Sequence, residues 1–310
     1  MATTSATTAA PRRRWRLSEE TKWGYIFLLP WIIGFVVFTA GPMLASFYLS
    51  FTKYNVIRAP QPIGLRNYEL LLDDRRIPLS LLNTAFYAVL HVPGVIIFSL
   101  ALAMLLLRVG RASGAFRTAF YLPNVTPAVA VGTLFLLLLA GNGLVNQVLG
   151  AFGLNGPNWL TDPAWVKPGI VLMSWWTLGS TVVIYFAALR NVPVELYEAA
   201  QIDGASAWAQ FKSITLPYIS GAIFFTVIVN TIASLQIFAE VYTMFFGARS
   251  GAGQESALFY TIYLFQKAFQ DLDFGYASAM AWVLFVIILV ITVIQVRLSD
   301  RFVFYAGDSR

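Results

Sequence analysis

A polar stretch between two long apolar segments, residues 191–217, carries the acids, glycine and prolines best suited to a specific interaction. Glu198 falls early in a run of good helix formers, where the helix dipole favours a negative charge. Asp203 and Gly204 end that run, because glycine readily takes the left-handed conformation that closes a helix. Ser206 can cap a second short helix. The spacing predicts a helix–turn–helix outside the membrane. The apolar side chains that it offers for contacts are Leu196, Tyr197, Trp208 and Phe211.

A second set of polar residues lies inside apolar segments, where such side chains are costly in lipid and therefore face a cavity or a partner. On the later segment, Asn230 and Ser234 share one helical stripe with Ile237 and Val241, at i, i+4, i+7 and i+11. Hydrogen-bonding groups and aromatic faces in an otherwise apolar cavity can bind a sugar. The predicted substrate pathway comprises Trp176, Thr177, Ser180, Asn230, Ser234, Gln236 and Glu240.

Four residues inside the apolar segments each have two readings. Glu240, the one acid inside a predicted span, suits either a sugar-hydroxyl acceptor or gate, or a carboxylate at the outer interface. Trp175 and Trp176 suit packing or lipid contact as well as substrate contact. His91 suits helix packing better than proton transfer.

The residue inventory excludes most enzymatic chemistry. The chain has no cysteine and one histidine, so a disulfide framework, a thiol nucleophile and a His- or Cys-rich metal site are not expected. It also lacks the G-x-x-x-x-G-K-[ST] phosphate-binding loop, so it should not bind ATP through such a motif. We expect no catalytic residue, metal or cofactor.

The composition is that of an integral membrane protein. Of 310 residues, 58% are hydrophobic and 12% charged, against about 25% charged in soluble domains. Mean hydropathy is +0.69. Prolines inside the spans, such as Pro123 and Pro127, suit either ordinary membrane-helix composition or kinks along a pathway. Six spans of sufficient length are predicted, at 23–52, 77–107, 118 to about 140, 168–189, 218 to about 246 and 274–296.

The distribution of basic residues predicts the orientation. With both termini in the cytoplasm, 13 of the 21 Lys and Arg residues lie inside, which follows the positive-inside rule. The net charge of +6 therefore reflects topology, and no nucleic acid partner is expected. The first apolar run is too long for a cleavable signal peptide. The predicted segments are a disordered basic tail (1–21), a first helix with an outer loop (22–80), a transmembrane core (81–300) and a cytoplasmic tail (301–310). Within the core, residues 141–167 are predicted to hold an amphipathic helix at the outer surface.

The polar stretch resembles the signature loop of permease subunits of binding-protein-dependent ABC importers, in the carbohydrate branch typified by maltose, lactose and glycerol-phosphate permeases. The resemblance covers about residues 22–300. It rests on Glu198-Ala199-Ala200, on Asp203-Gly204-Ala205, on Phe211, and on Leu216-Pro217 before the penultimate span. The segments Phe27 to Pro30, Phe120 to Pro123 and Tyr276 to Ala279 agree with it.

The resemblance implies an all-α type I importer fold of six transmembrane helices in the cytoplasmic (inner) membrane of a prokaryote. It implies that the loop 191–216 docks on an ATPase as a coupling helix. The residues assigned to that coupling are Glu198, Ala199, Ala200, Asp203, Gly204, Phe211 and Pro217. The implied partners are a second permease chain, two cytoplasmic ATPase subunits, an extracytoplasmic substrate-binding protein and a sugar. Trp176, Thr177, Ser180, Asn230 and Ser234 match sugar-contacting positions of maltose-type permeases by position and not by identity.

The cargo and the energy source leave alternatives. A polyol or a glycerol phosphate is open besides a neutral sugar, although a phosphate would favour a basic residue facing inward in a span, and none is visible. An ion-driven secondary transporter would carry several intramembrane acids or a two-half repeat, but Glu240 stands alone. A membrane-embedded enzyme would need clustered His, Asp or Glu at membrane depth.

Overall fold

The computed structural model describes residues 19–247 and 253–302, which are almost entirely helical. The predicted tails lie largely outside these residues, although 19–21 are already part of the first helix. The helices are α1 (Glu19–Ser50), α2 (Arg66–Asp73), α3 (Arg76–Arg108), α4 (Ser113–Tyr121), α5 (Ala128–Leu138), α6 (Leu144–Ala151), α7 (Pro163–Ser174), α8 (Gly179–Arg190), α9 (Val194–Ile202), α10 (Ala207–Gln210), α11 (Ser220–Leu235), α12 (Ala239–Phe245), α13 (Tyr260–Phe265) and α14 (Phe274–Phe302). The strands β1 (Thr52–Lys53) and β2 (Gln61–Pro62) pair antiparallel in the loop after α1.

The structure confirms the membrane-protein class, with two spans bent. Among the described residues, four helices are long and apolar enough to cross a membrane, and two bent helix pairs bring the number to six. The amphipathic helix predicted within 141–167 is confirmed as α6. The fourth span begins earlier than the predicted residue 168, because α7 starts at Pro163 with Asp162 as its N-terminal cap.

The third, fourth and fifth spans are not continuous helices. The chain bends by 98° between α4 and α5. There Thr126 is extended (ψ 130°), because a residue before proline is disfavoured in the helical region. It bends by 52° between α7 and α8. The fifth span is interrupted between α11 and α12, where Phe238 leaves helical geometry with φ −145° and ψ −69°.

Two clusters of buried residues hold the helices together, and α3 contributes to both. The distal core is built around Tyr87, Phe135, Val241 and Met280. The proximal core lies beside the polar loop and includes Leu106, Tyr185, Phe186, Leu189 and Ile219. By contrast, no residue of α1 between Glu19 and Phe35 is buried. Only the later part of α1 packs on the rest of the chain, against α14.

A carboxylate joins three elements at the distal end. Asp74, between α2 and α3, accepts hydrogen bonds from the hydroxyls of Tyr263 on α13 and Tyr276 on α14, the latter at 2.7 Å. The backbone N–H of Arg76 donates to the other carboxylate oxygen at 2.9 Å. Burial alone raises the pKa of Asp74, but these hydrogen bonds and the charge of Lys267 together lower the pKa below its ordinary value.

Removing one of these hydrogen bonds should weaken the protein most at neutral pH, where Asp74 is ionised, and progressively less as the pH falls. We expect Tyr276→Phe to lower the Tm by roughly 4 °C at neutral pH, for the loss of a hydrogen bond to a charged group. Because the folded pKa of Asp74 is depressed, its contribution is complete above an aspartate's ordinary pKa of about 4 and is lost as the pH falls through the folded pKa. Thermal unfolding in lipid nanodiscs from pH 7 to pH 3 measures both effects. Tyr48→Phe, which changes an exposed tyrosine on α1, is the control, and equal Tm values for both variants would contradict the prediction.

Candidate functional site

A cavity of about 650 Å³ lies where the bent and broken helices meet. Its walls come from α3, from the start of α5, from the bend between α7 and α8, and from the break between α11 and α12. Six of the seven residues predicted for the substrate pathway line it. They are Thr177, Ser180, Asn230, Ser234, Gln236 and Glu240. The helix breaks therefore bring together side chains that are distant in sequence.

The polar side chains of α11 are fixed by their own helix. The amide nitrogen of Asn230 donates to the carbonyl oxygen of Thr226 at 2.8 Å. The hydroxyl of Ser234 donates to the carbonyl oxygen of Asn230 at 2.6 Å. Ser and Thr hydroxyls commonly form such bonds to the preceding turn of a helix. These groups can still offer the cavity the Asn230 amide oxygen, the second Asn230 amide hydrogen and the hydroxyl lone pairs of Ser234.

Glu240 lies on the cavity wall, in the first turn of α12 and immediately after the helix break. Its backbone packs closely on α5, because a Cβ at Gly132 would stand 2.7 Å from the carbonyl oxygen of Glu240. Gly132 therefore allows α12 to approach α5 closely. This packing fixes the backbone that carries the carboxylate.

Trp176 does not lie where the predicted substrate contact would require it, and neither Trp176 nor Trp175 lines the cavity. Trp176 is absent from the lining of the cavity, and its indole packs edge-on against Phe135 with ring centroids 6.0 Å apart. Trp175 fills the space over Gly94, where a Cβ would come within 2.4 Å of the indole, and packs on Phe98 at 4.7 Å. In this conformation Trp175 is a packing residue, whereas Trp176 contacts Phe135 and is half-exposed, and a substrate contact by Trp176 stays a prediction.

Four further polar residues line the cavity although the sequence did not indicate them as substrate contacts. They are Tyr87, His91, Asn124 and Ser174. Nδ1 of His91 lies 2.7 Å from Oγ of Ser174, which joins α3 to α7. The His91 ring stacks on Tyr87 at 5.0 Å, in agreement with its predicted packing role. The sequence signal was present in part, because Tyr87 and His91 are four residues apart in an apolar run and so share a helix face.

The polar loop has the predicted helix–turn–helix geometry. The helix α9 ends at Ile202 and is closed by Gly204, whose φ of +76° is the left-handed conformation expected there. The Ala205 N–H donates to the Ala200 carbonyl at 2.8 Å, closing a Schellman-type cap. Oγ of Ser206 accepts from the N–H of Ala209 at 3.3 Å and caps α10. The chain then continues through a π-helical turn (Phe211–Thr215) and a helical turn (Leu216–Tyr218) that contains Pro217.

The loop has a buried side and an exposed side. Tyr197 and Phe211 pack on the proximal core, and the Tyr197 hydroxyl bonds Oγ1 of Thr215 at 2.9 Å. Glu198, Ala199 and Asp203 are exposed. So are the apolar side chains of Ile202 and Trp208, at 88% and 70% of their full surface. The loop is thus anchored to the membrane helices while it presents a mixed apolar and acidic surface.

The described residues combine membrane-length helices, a polar cavity between them, and a loop that is anchored on one side and exposed on the other. This combination suits a transport protein. The sequence matches the family described as "Binding-protein-dependent transport system inner membrane component" over residues 94–304. The chain belongs to this family.

Two curated relatives cover nearly the whole chain. The "Probable ABC transporter permease protein YesP" of Bacillus subtilis (strain 168) is 38% identical, over 91% of this chain and 92% of the relative. The "Lactose transport system permease protein LacF" of Rhizobium radiobacter is 34% identical, over 93% of this chain and 94% of the relative.

A solved structure has the same fold. It is a chain of a bacterial ABC transporter involved in the import of the acidic polysaccharide alginate, with a TM-score of 0.79 and 26% identity. The match covers 91% of this chain and 96% of that chain. The predicted fold, a type I ABC importer permease, is confirmed.

Proposed function

We propose that this chain is the permease subunit of an ATP-driven importer that moves carbohydrate across the cytoplasmic membrane. The observation that carries the proposal is the loop after α8. One side of it is fixed to the proximal core by Tyr197 and Phe211, while the other exposes Ile202, Trp208 and Glu198. A segment held in this way transmits force as a rigid body. Its exposed apolar side chains are a surface for a protein partner.

The partner of this loop is a cytoplasmic ATPase subunit, two copies of which serve the assembled importer. Glu198 contacts the ATPase surface, and the Asp203-Gly204 turn holds the loop in shape. Closure of the ATPase pair pushes the loop and moves the helices around the cavity between inward-open and outward-open arrangements. Both termini then lie in the cytoplasm, in agreement with the excess of Lys and Arg on that side.

The remaining partners are a second permease chain and an extracytoplasmic binding protein. Support for the second permease comes from the large apolar surface that α1 leaves uncovered between Glu19 and Phe35. Support for the binding protein comes from the family description and from the alginate importer, which has also been solved with a pentasaccharide-bound periplasmic protein. Support for carbohydrate as cargo comes from the lactose permease relative and from the hydroxyl and amide groups of the cavity.

A transport assay on the reconstituted importer tests the proposal. Proteoliposomes that contain this chain with its co-purified partners should take up radiolabelled lactose or maltose-series oligosaccharide. Uptake should require ATP on the loop side and binding protein on the other, and ionophores should not affect it. Uptake by the purified chain alone under an ion gradient would overturn the proposal in favour of a secondary transporter.

The loop assignment predicts the effect of a charge on its exposed surface. Ile202→Asp should reduce co-purification of the ATPase by about tenfold, because it places a charge in an apolar contact. The matched control is Phe152→Asp, just after α6, where the aromatic side chain is also exposed, at 79% of its surface. That variant should retain the ATPase. Equal ATPase recovery with the two variants would contradict the assignment of the loop.

A further inference from the structure

The charged side chains that line the cavity are of one sign only. Among the described residues that line it, Glu240 is the only carboxylate, and there is no lysine or arginine. The other polar groups, such as Asn124, Thr177, Ser180 and Asn230, are neutral. Any charged cargo that enters this part of the pathway therefore meets an acid and no base.

Glu240 has no ion-pair partner within the described part of the chain. The salt bridges there join Lys22 to Glu19, Arg66 to Glu69 and Lys267 to Asp271, none of them at the cavity. No described hydrogen bond engages the Glu240 carboxylate, which is only partly buried. A charge held among apolar helices acts over a longer range than one in bulk water, because the surrounding dielectric constant is lower.

Several neutral side chains of the cavity are left with acceptors, because their hydroxyl hydrogens are already bonded. The hydroxyls of Ser174, Thr177 and Ser234 each donate to a backbone carbonyl of their own segment. Asn230 likewise donates one amide hydrogen to a backbone carbonyl, that of Thr226. Oδ1 of Asn124 is buried at the cavity and has no hydrogen-bond partner among the described residues. The hydroxyls of Ser174, Thr177 and Ser234 are left with lone pairs to offer, as is Oδ1 of Asn124, which suits a ligand that donates.

A hydroxyl group can donate to such a wall, whereas an ionised carboxylate, sulfate or phosphate ester has only acceptors to present. An acceptor placed opposite an acceptor loses its hydration without gaining a bond. It is also repelled by Glu240. The chemistry of the wall therefore separates neutral polyhydroxylated molecules from anionic ones of the same size.

We propose that Glu240 is a specificity-determining residue that restricts the cavity to neutral carbohydrates and excludes anionic saccharides such as uronate oligomers. The proposal rests on the proposed function, whose cargo class it narrows. Of the two readings of Glu240, the proposal chooses the one in which the carboxylate acts on cargo at the cavity wall, over that of a carboxylate at the outer membrane interface.

The absence of cysteine from the chain allows a direct test of the cavity potential. Ala233→Cys places a single thiol on α11 at an exposed position of the cavity wall. The assembled importer is treated with a cationic and an anionic methanethiosulfonate reagent of similar size. Mass spectrometry of this chain gives the two modification rates, each normalised to the rate with a free thiol. Gln147→Cys, exposed on α6 and away from the cavity, is the control site.

We expect the cationic reagent to modify Ala233→Cys about threefold to tenfold faster than the anionic one, as one unit charge across a small aqueous cavity implies. The additional substitution Glu240→Gln should bring the ratio to that of the control site. A ratio near the control value with Glu240 present would overturn the proposal. So would a preference for the anionic reagent, which would reveal a basic partner residue in the assembled cavity.

Transport separates this proposal from the proposed function. The importer should take up a neutral oligosaccharide and not a galacturonate oligomer, even when the binding protein supplied is one that binds the latter. Uptake of neither by an ATP-dependent route counts against the function itself. Equal uptake of both supports the function and overturns the role given to Glu240.

Discussion

Replacing Gly204 by valine is expected to reduce uptake by at least about twentyfold while the chain still inserts into the membrane. The φ of +76° at Gly204 is unfavourable for a β-branched residue by about 1–2 kcal/mol or more. Relief of that strain rotates the turn after α9 and displaces Ile202 and Glu198 from the positions that the cap holds. Uptake in proteoliposomes and the ATPase activity of the purified complex measure the loss of coupling.

The chain contains a closely matched control for this substitution. Gly153 also has a φ of +76°, and a Cβ added there would have no heavy atom within 4 Å, as at Gly204. It ends α6 with the same type of cap, since the Leu154 N–H donates to the Leu149 carbonyl at 3.0 Å. Gly153→Val should therefore impose similar local strain but leave ATPase coupling near the wild-type value. Comparable losses of uptake in both variants would mean that strain alone, and not the position in the loop, causes the defect.

Gly179→Ala is expected to have the largest effect on stability. Gly179 begins α8, and a Cβ there would stand 2.0 Å from the carbonyl oxygen of Phe120 and 2.7 Å from Cα of Tyr121. Because these atoms belong to the backbone, the contact cannot be relieved by a side-chain rotation. Forced separation of α4 from α8 should cost about 3 kcal/mol and lower the Tm of the complex by roughly 10 °C.

The control for this second prediction is another helical glycine. Gly150 lies in α6 with open space around its Cβ position. Gly150→Ala should leave the Tm unchanged or raise it slightly, because alanine has the higher helix propensity. A Tm for Gly179→Ala within about 2 °C of that control would contradict the close approach of the two helices.

Local patterns in the sequence predicted the loop in detail. Asp203-Gly204 and Ser206 define caps by bonds that span only a few residues, so their outcome depends little on the rest of the fold. The bend at Thr126-Pro127 also has a local cause, although proline alone could not say whether the helix would kink or turn by 98°. The break before Ala239 has no proline or glycine at 236–238. It follows from tertiary packing and could not be predicted from the local sequence.

Only some of the residues that line the cavity could be predicted from the sequence. Asn230 and Ser234 stand out because polar residues at helical spacing in an apolar segment need a partner. Asn124 and Ser174 become cavity residues only because bent helices bring distant segments together, as the bond between His91 and Ser174 shows across 83 positions. Trp176 has the residue type of a sugar contact, yet the bend after α7 directs it towards Phe135.

The absence of buried residues from the first half of α1 has a consequence for membrane insertion during synthesis. Residues between Glu19 and Phe35 add nothing to either core, so this segment can enter the bilayer as a single helix before the remaining chain is synthesised. The buried clusters are built from later elements, of which α3 contributes to both. Synthesis can thus deliver a membrane anchor first and the buried clusters of the folded body later.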